Sequence, residues 1–165
     1  MLVKASNVAP EAFYNAYRDR TDLLPAADTV PAELDQQSRA VFGNGWYPAN
    51  HLPPIARWMT ARSWLSFKAE RLSRISLQLT THIPDLRTSP MELEFKLNGV
   101  SIGGLCLFEY DWLEVALDVP VSVAERTTQF KLEIISNRTW QPSVANPDSG
   151  DDRHLSIAVC NLRIS

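Results

Sequence analysis

Most of the signatures by which a sequence announces its chemistry are missing from this chain. Its 165 residues include three histidines and two cysteines. His51, His82 and His154 stand in separate loops with no Cys or His at ligand spacing, so no metal site is expected. There is no GxSxG elbow, no P-loop and no GxGxxG after a strand, which removes the common hydrolase, phosphate-binding and dinucleotide-binding frameworks. Sixteen basic against nineteen acidic residues leave a net charge of −3, without the basic stripe that a nucleic-acid partner requires. No apolar run approaches the ~18–20 residues of a membrane span. The start, MLVKASNVAPEAF, lacks the long apolar segment of a secretory leader. Cys106 and Cys160 both fall in apolar strand contexts; two buried free thiols in a reducing compartment are expected, a disulfide being the alternative. The expected location is therefore cytoplasmic, with no cofactor.

What is present is β-pattern. In Met91–Phe108 the apolar residues Met91, Leu93, Phe95 and Leu97 alternate with Glu92, Glu94, Lys96 and Asn98, the period-two signature of a strand with one wet face. Asn98-Gly99 supplies the two positive-φ positions of a type I′ turn. Val100 and Ile102 follow on the core face. Gly103-Gly104 then breaks the phase, and a bulge there would bring Leu105 and Leu107 back onto the core. A hairpin alone is marginally stable, so this one needs a second layer to cover its apolar face.

Residues 1–45 read differently. Pro10 suits a first helical position and Phe13 and Tyr17 share a face at i, i+4, which predicts a short helix ending near Asp19-Arg20. A second begins near Asp28–Pro31 and is ended by Gly43-Asn44-Gly45. From Trp46 onward the chain is strand-rich. Arg57–Lys68 reads as one long strand with Met59, Ala61, Leu65 and Phe67 on one face and Trp58, Thr60, Arg62 and Trp64 on the other. Leu72–Thr81, Leu113–Val121 and Gln129–Ser136 are further strands, Pro120 arguing for an edge or an end. The closing segment places Leu155, Ile157 and Val159 inward, then shifts register to bring in Leu162 and Ile164. About eight strands separated by turn signals predict an all-β fold, an antiparallel β-sandwich of jelly-roll type, over residues 46–165. Residues 1–45 form its helical N-terminal extension.

Candidate chemistry is sparse. Glu92 and Glu94 lie on a wet strand face, and Glu109, Asp111 and Glu114 cluster near a turn. Solvated edge charges explain both groups better than the paired carboxylates of a glycosidase. Asp148-Ser149-Gly150-Asp151-Asp152 has calcium-type ligands around a glycine, but not the EF-hand spacing; a solvated turn with an Asx-type hydrogen bond is the other reading. Asn137-Arg138-Thr139 matches a glycosylation sequon, which is idle without secretion. The large rings say more. Trp46, Tyr47, Trp58, Trp64, Trp112 and Trp140 are many for a small β-domain, and several stand beside Arg57, Arg62, Asn137 or Arg153. Flat rings stack on sugar faces while Arg, Asn and Asp bond hydroxyls, so a sugar site needs both kinds together. Packing, against the core or the N-terminal helices, is the alternative for each ring.

The order Gly45-Trp46-Tyr47-Pro48, Arg57-Trp58, Leu97–Gly103 and Ser149–Val159 resembles bacterial β-sandwich domains, similar to carbohydrate-binding modules, that accompany glycosyltransferases of surface-polysaccharide biosynthesis. The resemblance covers about residues 43–165. It implies a non-catalytic role in recognising glycan, with Arg57-Trp58 and Asp152-Arg153 as the recurrent pairs. An acidic residue commonly follows the GWYP segment in such domains; Asn50 stands near that place here.

Together these readings predict a carbohydrate-binding module and not an enzyme. Trp46, Tyr47, Trp58 and Trp140 are the stacking residues, and Arg57, Asp152 and Arg153 their polar partners. Its expected partners are a glycan or the glycosyltransferase machinery, and a homo-oligomer is left open. The alternative is a protein-interaction or oligomerisation module using the same aromatics and the N-terminal helices. A cupin-type hydrolase or isomerase ranks last for want of a histidine-rich metal motif.

Overall fold

The computed structural model describes residues 2–5, 40–50 and 54–165. Among these, ten strands follow in order: β1 (Leu2–Ala5), β2 (Val41–Phe42), β3 (Arg57–Trp58), β4 (Arg62–Lys68), β5 (Arg74–Thr80), β6 (Met91–Leu97), β7 (Val100–Leu107), β8 (Leu113–Asp118), β9 (Gln129–Ser136) and β10 (Ala158–Ile164). One helical turn, α1 (Val121–Ala124), joins β8 to β9. Another, α2 (Pro142–Ala145), lies in the long β9–β10 loop.

The strands form two five-stranded antiparallel sheets. The first has the order β1-β8-β5-β10-β3 and the second β2-β4-β9-β6-β7. Among the described strands only the consecutive pair β6–β7 stays in one sheet; every other successive pair is divided between the two. Leu65, Phe67, Phe95, Leu97, Phe130, Leu132 and Ile134 of the second sheet meet Ile75, Leu77, Leu79, Val115 and Leu117 of the first in one buried cluster. Phe67 and Phe130, paired across β4 and β9, stack at 5.7 Å. Each such side chain contributes roughly 1.5–3 kcal/mol by leaving water, and alternation along every long strand brings them to the same side. The described residues therefore form an all-β sandwich.

The central hairpin follows its sequence closely, except that Val100, expected on the core face, is 44% exposed. Asn98 and Gly99 have φ of 50° and 84°, as the type I′ turn requires. Phe95 pairs with Gly103 and Lys96 with Ser101, so the extra residue is Ile102, one position before the glycine pair. Leu105 and Leu107 then oppose Leu93 and Met91. The register shift in β10 is also present, between Cys160 and Arg163, around Asn161 at φ 50°.

Four expectations are corrected. Arg57–Lys68 is not one strand: β3 and β4 belong to different sheets, and the chain turns a corner at residues 59–61. That corner is tied by Met59 N–H to the Ile157 carbonyl (2.9 Å), Thr60 N–H to the Gly45 carbonyl (2.8 Å) and Ser156 Oγ to the Thr60 carbonyl (2.7 Å). Trp58 and Trp64 consequently do not share a face. The strand at 113 ends at Asp118, after which Pro120 precedes α1. Within residues 1–45, residues 2–5 and 41–42 are strands and not helix, β1 pairing with β8 and β2 with β4. The helices expected near 10–20 and 28–43 fall outside the described residues, except for the strand β2. Both thiols are free, but only Cys160 is buried; Cys106 is exposed, opposite Glu92.

Candidate functional site

A second, smaller apolar cluster lies outside the main core. Alternation along β10 sends Val159 into the sandwich and Ala158 and Cys160 to the other face. Trp58 on β3, paired with Ala158, joins Ala56, Trp112 and Leu155 there. Trp58 and Trp112 are 0% and 1% exposed. They form a floor, and no ligand ring can lie against them. His82 meets Trp58 edge-on at 5.4 Å, and burial pushes its pKa down to about 4, leaving a neutral imidazole at pH 7.

A line of rings and guanidinium groups runs from the main core, where Phe42 and Trp46 pack, to this floor, against which Tyr47 packs. The Trp46 ring packs edge-on against Phe42 at 5.3 Å. The Arg57 guanidinium lies 4.4 Å from the centre of the Phe42 ring and donates from Nη1 to the Tyr47 carbonyl at 3.2 Å. The Arg153 guanidinium lies 5.2 Å from the Tyr47 ring centre. Arg153 is held in turn by Asp151: Nε donates to Oδ1 at 2.8 Å and Nη2 to Oδ2 at 2.6 Å. Cationic planes over aromatic faces are attractive in themselves, and the bidentate pair fixes the orientation of the Arg153 plane. Burial pushes the Asp151 carboxyl pKa up, but the hydrogen bonds and charge of Arg153 outweigh it and hold the acid below the usual range.

Beside this line the β9–β10 loop offers polar groups. Trp140 is half-buried and exchanges backbone hydrogen bonds with Leu155. Gln141 Nε2 donates to the Asp152 carbonyl at 2.9 Å, and Ser143 Oγ donates to the Asp152 carboxylate at 2.5 Å. Asp152 itself is exposed. The tip is a turn of Asx type, with Asp148 N–H donating to Asn146 Oδ1 and Gly150 at φ 64°. Among the described residues no group of three His, Cys, Asp or Glu could hold a metal ion.

The residues singled out in the sequence thus take different positions. Tyr47, Arg57, Trp58, Trp140, Asp152 and Arg153 gather around one end of the sandwich. Trp46 is set apart: its Nε1 donates to the Trp64 carbonyl at 2.9 Å and its ring packs against the main core. Arg57 is only 6% exposed and acts as a strut. The acidic partner of Arg153 is Asp151, not its neighbour Asp152. Residues two apart in an extended segment point the same way, a spacing that singles out Asp151. Asn50, also buried, accepts the Ala56 N–H on Oδ1 at 2.8 Å and returns its own N–H to the Ala56 carbonyl, which ties the two residues together. Phe42, Gln141 and Ser143 were not legible as members, because a two-residue strand and a distant loop bring them in.

The surface that remains open carries the Tyr47 and Trp140 rings, an oriented guanidinium, an amide, a hydroxyl and a carboxylate. Such a set can stack against an apolar face and exchange directed hydrogen bonds with hydroxyls. No family model matches the chain, and no curated protein matches it.

Proposed function

We propose that this protein is a non-catalytic carbohydrate-binding module whose glycan contacts the loop end formed by Tyr47, Trp140, Gln141, Asp152 and Arg153. The observation that carries the reading is the Tyr47–Arg153–Asp151 arrangement, a partly exposed ring beside a guanidinium whose plane is already fixed. Preorganisation lowers the cost of ordering these side chains on binding. Trp58 supports the site from below and does not stack on ligand. The strand order reads as a jelly roll, in which β3-β10-β5-β8 faces β4-β9-β6-β7, with β1 and β2 added at the edges. The resemblance in the GWYP, Arg-Trp and SGDDR segments extends the proposal to a role beside glycosyltransferases of bacterial polysaccharide biosynthesis. Two free thiols suit a reducing cytoplasm.

The test is binding of the purified chain to a broad panel of bacterial surface glycans. Wild type is compared with Trp140→Ala and Asp152→Asn, each checked for folding by near-UV circular dichroism. A stacking contact contributes ~1–2 kcal/mol, so Trp140→Ala weakens binding about tenfold in a folded protein. Trp58→Ala behaves otherwise: it empties the floor and costs ~3–5 kcal/mol of stability. Failure of the wild type to bind any glycan refutes the reading.

A further inference from the structure

Asparagine followed by glycine is chemically labile, because a glycine carries no side chain to shield its nitrogen from the asparagine amide beside it. The chain has two such pairs, Asn44-Gly45 and Asn98-Gly99, and both asparagines are exposed at turns. The fold treats them differently. Asn98 is clamped to β9: Oδ1 accepts the Lys131 N–H at 2.7 Å, Nδ2 donates to the Gln129 carbonyl at 3.3 Å, and its own N–H donates to the Lys131 carbonyl at 2.9 Å. Its side chain thereby continues the β6–β9 ladder one residue past Leu97. Asn44 has no such hold. Among the described residues its side chain makes no hydrogen bond, and only its carbonyl is met, by the Trp64 N–H at 3.4 Å.

We infer that Asn44 is a self-modification site of the native protein, converted to aspartyl and isoaspartyl forms through attack by the Gly45 nitrogen, and that the fold protects Asn98 from the same reaction. The Gly45 nitrogen bonds to Asn44 Cγ. The Cγ–Nδ2 bond breaks, and the amide nitrogen leaves as ammonia with the proton that the Gly45 nitrogen gives up. Water then opens the cyclic imide. Opening at Cγ leaves aspartate; opening at the main-chain carbonyl carbon leaves isoaspartate, whose backbone runs through the side chain and is one carbon longer. Water is the only co-reactant. At Asn98 both side-chain bonds must break first, since Cγ has to swing away from β9 to reach the Gly99 nitrogen. At position 45 glycine is demanded by the backbone: φ is 94°, and a Cβ would lie 2.1 Å from the Arg62 carbonyl oxygen. The unshielded nitrogen comes with it. The added backbone carbon falls just before Gly45, whose carbonyl accepts the Thr60 N–H of the sheet-to-sheet corner at 2.8 Å, and close to Tyr47, whose N–H donates to the Trp58 carbonyl at 2.9 Å. The conversion therefore acts on the segment that seats Tyr47, and it proceeds with or without a glycan.

The test is peptide mapping by mass spectrometry of the full chain held at mildly alkaline pH, native and in urea, with Asn44→Gln alongside. Each asparagine is scored by its native rate relative to its own rate in urea. Two neutral hydrogen bonds hold the Asn98 side chain and none holds that of Asn44, so Asn98 is expected to be protected at least ~tenfold more strongly. Asn44→Gln removes the main product, because the longer side chain closes its larger ring far more slowly. Denaturant melts of the aged protein against fresh Asn44→Asp separate the new charge from the new backbone atom: the aged protein is expected to be less stable, and Asn44→Asp to stay close to wild type. An Asn44 that does not convert in the native protein, an Asn98 that is no better protected than Asn44, or an aged protein no less stable than Asn44→Asp each overturns the proposal.

Discussion

Replacing Asp151 with asparagine tests how the candidate site is held together. The carboxylate accepts three N–H groups of one residue: the Arg153 backbone at 3.1 Å, Nε at 2.8 Å and Nη2 at 2.6 Å. The side chains are 8% and 19% exposed. Asparagine keeps the shape but removes the charge and turns an amide donor toward the guanidinium. Hydrogen bonds to charged groups contribute ~1.5–3 kcal/mol, and stranding one partner of a fully buried pair costs ~3–5 kcal/mol. Arg153 retains some water and the Tyr47 face, so the cost falls near the lower range, about 2 kcal/mol. For a domain of this size that is roughly 4–8 °C in Tm. The pH dependence has a definite sign. Because the folded pKa of Asp151 lies below its ordinary 3.8, its contribution is complete above that value and is lost as pH falls through the folded pKa. The gap between wild type and Asp151→Asn is therefore widest at neutral pH and narrows below about pH 4. Denaturant melts of both proteins at the two pH values, with Arg153→Met completing a double-mutant cycle, measure it. A coupling below ~0.5 kcal/mol at neutral pH, or a gap that widens in acid, refutes the reasoning.

Three further outcomes follow from single side chains. His82, held near pKa 4 against an ordinary 6.5, stays neutral in the fold while the unfolded chain takes up a proton. Stability therefore falls by up to about 3 kcal/mol as pH drops through that window, and His82→Gln flattens the fall in pH-dependent denaturant melts. Burial pushes the Cys160 thiol up to about 12, whereas Cys106 is exposed; a thiol reagent labels the native protein quickly once and the unfolded protein twice. Gly45 has φ 94°, and a Cβ there would lie 2.1 Å from the Arg62 carbonyl oxygen, while Gly99, at φ 84°, has open space. Gly99→Ala costs roughly 1–2 kcal/mol for its left-handed backbone, and Gly45→Ala costs more than that in the same melts.

The elements legible in the sequence are those whose information is local. The β6–β7 hairpin is specified by eight alternating residues and a turn dipeptide with both φ angles positive, and nothing distant is needed to fix its register. The same holds for β9 and for the shift in β10. The long run Arg57–Lys68 reads as one strand because alternation continues smoothly through a sheet-to-sheet corner. Trp58 and Trp64 are six apart, which one straight strand would place on one face. The corner is made by partners remote in sequence, Gly45, Ser156 and Ile157, and no period within residues 57–68 records them.

The same physics explains why the aromatic set divided as it did. A tryptophan in a β-sandwich has two apolar destinations, the space between the sheets and any outer face that a loop covers, and alternation selects a face without saying what lies over it. Trp46 goes to the main core and donates its indole N–H to the Trp64 carbonyl. Trp58 goes to an outer face that the second apolar cluster seals, at 0% exposure. Trp140 lies between the two clusters and stays half-buried. Burying a ring on an outer face is favourable only if polar groups nearby are satisfied, since each stranded donor costs ~1–3 kcal/mol. The neighbouring arginines lie over Phe42 and Tyr47 and bond the Tyr47 carbonyl and Asp151. The Tyr47 and Trp140 rings complete the sealing of the Trp58 floor by packing against its cluster. The fixed, partly open surface that such sealing leaves at Tyr47, Gln141, Asp152 and Arg153 is what a glycan would meet.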